Sequence, residues 1–492
     1  MKTPLALALA AIAAPVLTSS LSVASPTIVA IEGQAAPDGN GTINFISNDF
    51  GFNNLGEVVY ETQYTGLSDG RVNEKAIIVA DGSSPERTVA RGGFTAPQDG
   101  FQGLFRPRIN DASEVLFLGF INDTAGGDSS RETLLLASPT DVYTAVAVEN
   151  TDFPGYVGAQ SPAWYRDFSS GGGGLGDPDL AGPGRAVFAS SLTIGSSVNQ
   201  GLFWFDGSND QLLTYSGFNA FGLGTFIGAF GIDADDSDVF AADISTFSGR
   251  GIVTANVDGS DSRVIAQGGD ALAGTTIDVA FEPSINSERD VVFTANLDVG
   301  VRALAYYDHS AATLSSLVAN GDALPSGPTL AGLTTPRLND AGVMAFRATV
   351  NSVPFRVSIL TYDIATGTIA EVVSTGDMLA GETITSIGQD LEINNSGQIA
   401  FDFRLADGRD GLAVTEATAA PCVADVTTDG TSNGMPDGEV TLSDFSFYLS
   451  LWAGGDAAAD LTTDGSANGV PDGSVTLSDF SFYLSLWSAG CP

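Results

Sequence analysis

The chain has 492 residues, 59 acidic and 19 basic side chains, one histidine and two cysteines, and a net charge of −40. No basic cluster is present to neutralise phosphates, which excludes nucleic acid as a partner. One histidine, His309 in Tyr306-Tyr307-Asp308-His309, leaves little for Ser-His-Asp, Cys-His or histidine-rich metal chemistry and reads as structural, at a strand end or turn.

The N-terminus reads as an export signal over 1–24. Lys2 supplies the charge, Leu5 to Leu17 the apolar run, and Ser22-Val23-Ala24 the small-residue cleavage site. The run is too short, and too soon followed by Thr and Ser, for a membrane span. The expected location is therefore secreted, extracellular or cell envelope, where acidity serves solubility. Lys75 is the single lysine beyond the signal.

Residues 25–416 carry a repeat. Asn, two residues, Gly, two residues, then a small or β-branched residue and an aromatic recur, most clearly at Asn339-Asp-Ala-Gly342-Val-Met-Ala345-Phe346 and Asn394-Asn-Ser-Gly397-Gln-Ile-Ala400-Phe401. Looser copies begin at Asn53, Asn110, Asp233 and Asn286, ending Val59-Tyr60, Leu116-Phe117, Val239-Phe240 and Val292-Phe293. A degenerate copy ends Gly184-Arg-Ala-Val187-Phe188. The spacing is about 52 to 57 residues, except one step of about 71 that contains Gly171 to Gly174, a loop insertion. Asn opens a turn by bonding its own backbone, Gly closes it, and the alternating residues that follow enter a strand. Two further strand-like runs follow each copy, as at Val357–Tyr362 and Thr368–Val373, and then often a Gly-Asp turn, as at Gly269-Asp270, Gly321-Asp322 and Gly376-Asp377.

Seven such units predict an all-β main domain, a seven-bladed β-propeller. The competing architecture is an open β-solenoid or two β domains. The seventh unit has two strands, 398–405 and 410–416, before the chain leaves. Its missing strand lies at the other end: Ile28 to Ile31, followed by Gly33, Pro37 and Gly39 in the spacing of Gly321, Pro325 and Gly327. An N-terminal strand should therefore close the ring and leave no open edge. The repeat resembles a bacterial family of tandem N-x-x-G-x-x-A-F surface proteins over about 27–416, a resemblance that implies no enzymatic activity.

After a short linker, 417–421, residues 422–492 hold one acidic unit written twice, with ten acidic residues and no Lys or Arg. VTLSDFSFYLSLW occurs at 440–452 and again at 475–487, each after an Asp/Thr/Asn/Gly loop. Clustered carboxylates repel unless a cation binds, and hard oxygen donors point to two calcium sites. Counting back from Asp444 puts Asp437-Gly438 at positions 5 and 6 of an EF-hand-like loop, the Glu439 carbonyl at 7 and Thr441 at 9. A strict register puts Asn433 at position 1 and Met435, which cannot serve, at 3. The favoured register takes Asp425 and Thr427, with Asp429 and Asn433 accessory. The second site is Asp460, Thr462, Asp472, the Ser474 carbonyl, Thr476 and Asp479, with Asp464 and Asn468 accessory. Cys422 and Cys491 bracket the unit, and in an exported chain they suggest a disulfide that stabilises it by roughly 4 kcal/mol.

Thr441-x-x-Asp444 is also a helix start signal. The helices, 445–453 and 480–488, bury Phe445, Tyr448, Leu449 and Trp452 as one stripe. Phe447 and Leu451 form a second apolar face, with Phe447 and Phe482 as partner-docking residues. The duplicated D-G-x-V-T-x-x-D core, ending Gly490-Cys491-Pro492, resembles dockerin modules of the GC type. That implies a small EF-hand-like α-helical module and a cohesin-like or other surface receptor; the loop insertion departs from the ordinary pattern. The expectation is a non-enzymatic propeller tethered through this module. The alternative is a polysaccharide-binding or polysaccharide-degrading protein, for which paired Asp/Glu side chains would suffice, with carbohydrate as partner.

Overall fold

The computed structural model describes residues 26–37, 39–68, 74–82, 86–92, 101–122, 130–151, 163–168, 177–416, 426–427, 440–462 and 474–489. Seven antiparallel sheets follow one another along the chain. Blade 1 spans 42–91, blade 2 101–148, blade 3 163–215, blade 4 226–267, blade 5 271–319, blade 6 329–374 and blade 7 378–414. The strand Thr27–Ile31 pairs antiparallel with Asp410–Val414 as the outermost strand of blade 7. The architecture is the seven-bladed β-propeller that the repeat predicts, closed by its N-terminal strand.

The apolar alternation of the repeat builds the cores between blades. The aromatic of the repeat is buried in all seven blades as Tyr60, Phe117, Phe188, Phe240, Phe293, Phe346 and Phe401. Each packs against the neighbouring sheet: Phe346 and Leu360 of blade 6 share a core with Val292 and Leu304 of blade 5. Tyr60 of blade 1 shares one with Ala400 and Leu412 of blade 7 and with Val29 and Ala30 of the closing strand. Each such ring contributes about 1.5–3 kcal/mol relative to exposure. The Gly-Asp turns link outer strand to next inner strand, with Asp270, Asp322 and Asp377 accepting the N–H of Gln267, Ala319 and Ser374.

The repeat asparagine does more than open a turn. In five blades its Oδ1 accepts the N–H four residues on, at 2.9–3.0 Å (Glu57, Glu114, Asp290, Val343 and Gln398). Its Nδ2 donates to a backbone carbonyl of the following blade. Asn53 bonds Asn110 O at 3.0 Å, Asn110 bonds Gly182 O at 3.3 Å, and Asn286 bonds Asn339 O at 3.4 Å. Asn339 bonds Asn394 O at 3.0 Å, and Asn394 closes the circle on Asn53 O at 3.4 Å. The residues one position later form an outer tier. Asp111 accepts from Asn54 N–H, Asp340 from Ser287 N–H, Asn395 from Asp340 N–H, and Asn54 from Asn395 N–H.

Blades 3 and 4 depart from this. Ala181 holds the asparagine position in blade 3, since its N–H bonds Arg185 O as Asn339 N–H bonds Val343 O. In blade 4 the position belongs to Asp235, which pairs with Val239, and not to Asp233 as the spacing predicts. The register is two residues off because a shift of two leaves the same face buried and is invisible to alternation. Neither Ala nor an ionised Asp can donate, so carboxylates take over as acceptors. Gly182 N–H and Asp111 N–H both donate to Asp236 at 3.2 Å, Ala234 N–H to Asp179 at 2.8 Å, and Ile285 N–H to Asp233 at 2.7 Å. The inner strand of blade 3 is split into Ala163–Asp167 and Asp179–Leu180, which places the predicted insertion between them; Gly171 to Gly174 themselves lie outside the described residues.

Beyond the propeller come two helices, α1 (Leu442–Gly454) and α2 (Leu477–Ala489). Both begin one turn earlier than predicted, because Thr441 is itself the N-cap, in a capping box with Asp444. Among the described residues no helix is long and apolar enough to cross a membrane.

Asn394 is 3% exposed and ties the last blade to the first. Asn394→Asp, which keeps size but loses both donors, should destabilise the propeller by about 2–3 kcal/mol through orphaned buried partners. Scanning calorimetry should show a lower melting temperature than for Asn351→Asp, a change at an exposed position.

Candidate functional site

Two places gather polar groups. The first is the central channel at the end that carries the asparagine turns, a cavity of about 150 Å³ lined by residues of all seven blades. Arg108 and Arg337 stand two residues before the repeat asparagine, in Pro107-Arg108-Ile109-Asn110 and Pro336-Arg337-Leu338-Asn339. Arg108 donates through Nη1 to Asp49 at 2.7 Å and reaches Asp177 at 3.4 Å. Arg337 donates through Nε to Glu392 at 2.8 Å. Blades 3 and 4 supply Asp179 and Asp233. Burial pushes Asp179 up, and the Asp233 carboxylate adds to it while Arg108 opposes. Burial also raises Asp233, against Arg337. Burial raises Asp390 to about 6, and in a separate groove between blades 7 and 1 burial together with Asp390 raises Asp402 to about 7.

Apart from Asp233, which the repeat spacing picks as a turn opener, these channel groups were not singled out from sequence. A signal was present in the repeated Pro-Arg-apolar-Asn. What the sequence hides is that the channel carboxylates serve as inter-blade acceptors as well as charges. Asp179 and Asp233 each receive a backbone N–H of the next blade. His309 lies just beyond the strand Arg302–Asp308, and its backbone N–H donates to Asp290 of the same blade at 2.8 Å.

The second place is the helix pair. Tyr448 and Tyr483 stack face to face, centroids 3.7 Å apart at 5°. Trp452 donates its indole N–H to Thr476 O, and Trp487 donates to Thr441 O, at 2.5 and 2.9 Å. Each helix thus anchors its last turn on the other helix's N-cap, a reciprocal exchange. The predicted stripe is corrected at one position. Leu451 packs into the shared core with Phe445, Tyr448 and Trp452, whereas Leu449 is 38% exposed. Residue 451 follows 448 by three and faces the partner helix, while 449 falls on the outer side. Phe447 and Phe482 are half-buried and lie outside this core.

The two halves repeat bond for bond. Asp444 accepts Val426 N–H and Thr427 N–H, both at 2.9 Å, on one oxygen, and Thr441 N–H and Oγ1–H at 2.8 and 3.1 Å on the other. Asp479 accepts Leu461, Thr462 and Thr476 N–H at 2.8, 2.9 and 2.7 Å, and the Thr476 hydroxyl at 3.2 Å. Burial acts to raise both carboxylates, but these donors outweigh it and hold each below its ordinary value. Thr427, Thr441 and Asp444 therefore converge in one half, and Thr462, Thr476 and Asp479 in the other. Asp460 is buried at 8% exposure and Ser474 is exposed. Asp425, Asp429, Asn433, Asp437, Glu439, Asp464, Asn468, Asp472, Cys422 and Cys491 lie outside the described residues. Among the described residues no three Asp, Glu, His or Cys side chains converge on a point.

The same residue type titrates in opposite directions in the two places. Propeller carboxylates raised on folding contribute stability that is present at low pH and lost as pH rises through their folded values. Asp444 and Asp479, lowered on folding, contribute stability that is present at neutral pH and lost as pH falls through theirs. Lowering pH from about 8 to about 5 should raise the propeller's melting temperature by about 3–5 °C, and Asp402→Asn should shrink that rise. Calorimetry across this range reads both.

Among solved structures, the fold is similar to an oligogalacturonate lyase from Vibrio parahaemolyticus, at 9% identity and TM-score 0.47, over 80% of this chain and 98% of that one. It is similar to the β-propeller domain of the Trilobed protease from Pyrococcus furiosus, at 10% identity and TM-score 0.44, over 76% and 95%. A puromycin hydrolase matches at 13% identity and TM-score 0.44, over 78% of this chain and 53% of the other. No curated protein matches the chain. A family described as one of unknown function (DUF7453) matches residues 14–230 and 257–424.

Proposed function

We propose, for a chain that belongs to this family of unknown function (DUF7453), that it is a secreted or cell-surface, non-enzymatic propeller held to an extracellular partner by its C-terminal helix pair. One observation carries the reading: the pair is duplicated bond for bond, each half presenting a buried, ionised carboxylate at a helix start that follows an acidic stretch of the sequence. Duplication of a loop-capping device serves recognition better than catalysis, because it presents the same surface twice without converging on one reacting point. Phe447 and Phe482 are the repeated apolar positions that the shared core leaves over, and they suit a docking surface on a cohesin-like or other receptor.

Calcium orders the pair in this reading, and the dockerin-like module of the sequence is its identity. The residues fit a hard cation by donor type: ionised Asp444 and Asp479, the hydroxyls of Thr441 and Thr476, and the loop acids Asp425, Asp437, Asp460 and Asp472. Each oxygen of Asp444 and Asp479 already accepts two donors. An ion at these oxygens competes with those donors, so affinity belongs in the millimolar, extracellular range. The channel supports the non-enzymatic half of the reading, since Asp179 and Asp233 are engaged in holding the next blade.

Calorimetry of the full chain tests this. With 5 mM calcium against EDTA, a low-temperature transition should move up by several degrees while the propeller transition stays, and Asp444→Asn with Asp479→Asn should abolish the shift. The absence of any calcium-dependent shift in the intact chain refutes the ordered tail.

A further inference from the structure

Strand direction sorts the loops onto two faces. The asparagine turns lie on one face, together with the end of Asp410–Val414 from which the chain runs on and the start of Thr27–Ile31. The turns between second and third strands, and the connectors between blades, lie on the other. Among the described propeller residues, the exposed large apolar side chains favour that second face. Phe45, Val198, Phe218, Ile227, Phe247, Val299, Val353, Phe355 and Met378 lie there, against Leu55 and Val142 on the first. That uneven distribution marks a face built to meet something.

Between blades 4 and 5 this face opens into a groove of about 300 Å³. Arg250 forms one wall and is fixed in place. Its Nε donates to Asp243 at 2.6 Å and its Nη2 to the other oxygen of the same carboxylate, which is 1% exposed. Its guanidinium lies 4.9 Å from the Phe230 ring and 5.9 Å from Phe281. The remaining polar walls are Thr246, Ser248, Gln267, Asp278 and Asp298. Phe247 lies in the chain between the lining residues Thr246 and Ser248, outside the wall itself, and is 80% exposed. Gly249, Gly268 and Gly269 leave backbone bare along the groove, and at Gly268 a Cβ would sit 3.1 Å from Asp278 O.

We infer that this groove binds a neutral glycan. A sugar ring offers an apolar face of C–H groups and vicinal hydroxyls that both donate and accept. Phe247 meets the first, while Arg250, Gln267 and the two aspartates meet the second, as donor and acceptors held side by side. Asp278 and Asp298 in the wall, on a chain of net charge −40, repel a polyuronate, and this decides for an uncharged sugar. A second groove on the same face, between blades 7 and 1, repeats the combination with Phe45, Ser47, Asn48, Ser386 and Arg404 in about 200 Å³. The inference stands apart from the tail and its calcium.

Affinity gel electrophoresis of the full chain in xylan, galactomannan, hydroxyethyl cellulose, amylopectin and polygalacturonate tests it. Retardation by at least one of the four neutral polymers is expected. Phe247→Ala, at an exposed site, should weaken that retardation at least tenfold, and Gln267→Ala should weaken it less. Arg250→Gln should abolish it in protein whose melting temperature confirms folding. Retardation by none of the neutral polymers, by polygalacturonate alone, or equally for wild type and Phe247→Ala, overturns the glycan site. EDTA should leave the retardation unchanged, which separates this outcome from the fate of the tail.

Discussion

One directional bond per seam, made by a primary amide in five blades and by carboxylates around blades 3 and 4, is the constraint on which the propeller depends. A circular array of sheets must fix every neighbour in angle and height, and hydrophobic packing alone is non-directional. A buried asparagine supplies direction. Its oxygen sets its own turn and its nitrogen fixes the next blade's turn, so that local and long-range order rest on one side chain. Asn394 spans 341 residues of sequence to reach Asn53 O, where the outermost strand of the same blade is also borrowed from the N-terminus. Closure is therefore made twice, near the axis by an amide and at the rim by a strand.

The repeat made this fold legible. Asn, Gly and alternating apolar residues at regular spacing specify turn, strand and buried face, and these suffice for blade number and closing strand. Legibility failed where physics leaves sequence degenerate. Asp233 and Asp235 are two apart in a strand and satisfy the same alternation, and only cross-strand pairing separates them. Leu449 and Leu451 are both apolar on a short helix, and only the partner helix decides which is covered. The channel was hidden for a different cause. In a chain with 59 acidic residues no spacing singles out Asp179, or marks Asp233 as a channel charge rather than a turn opener, because the groups that perturb them come from other blades.

Substitution at blades 3 and 4 shows what the asparagine is for. Where the amide is lost, the inter-blade bond survives with donor and acceptor exchanged, carboxylates of Asp179, Asp233 and Asp236 receiving backbone N–H groups. What is preserved is a directional bond across the seam rather than the residue type. The exchange brings negative charge into the channel, and the arginines at 108 and 337 offset it. A neutral amide ring needs no counter-charge; a carboxylate patch in the ring does.

The acidic residues of this chain accordingly perform two opposed tasks. Inside the propeller a carboxylate is held against its preference, kept by geometry and partly neutralised by burial. At the helix starts a carboxylate is favoured as an anion, because three backbone N–H groups and a hydroxyl converge on it. Desolvation acts in the same sense at both places, but inside the propeller it is deeper and neighbouring carboxylates add to it, whereas at the helix starts the converging donors outweigh it. Coordinates of the hydrogen-bond donors, not the count of Asp and Glu, therefore determine which acids strain the fold and which can order a loop.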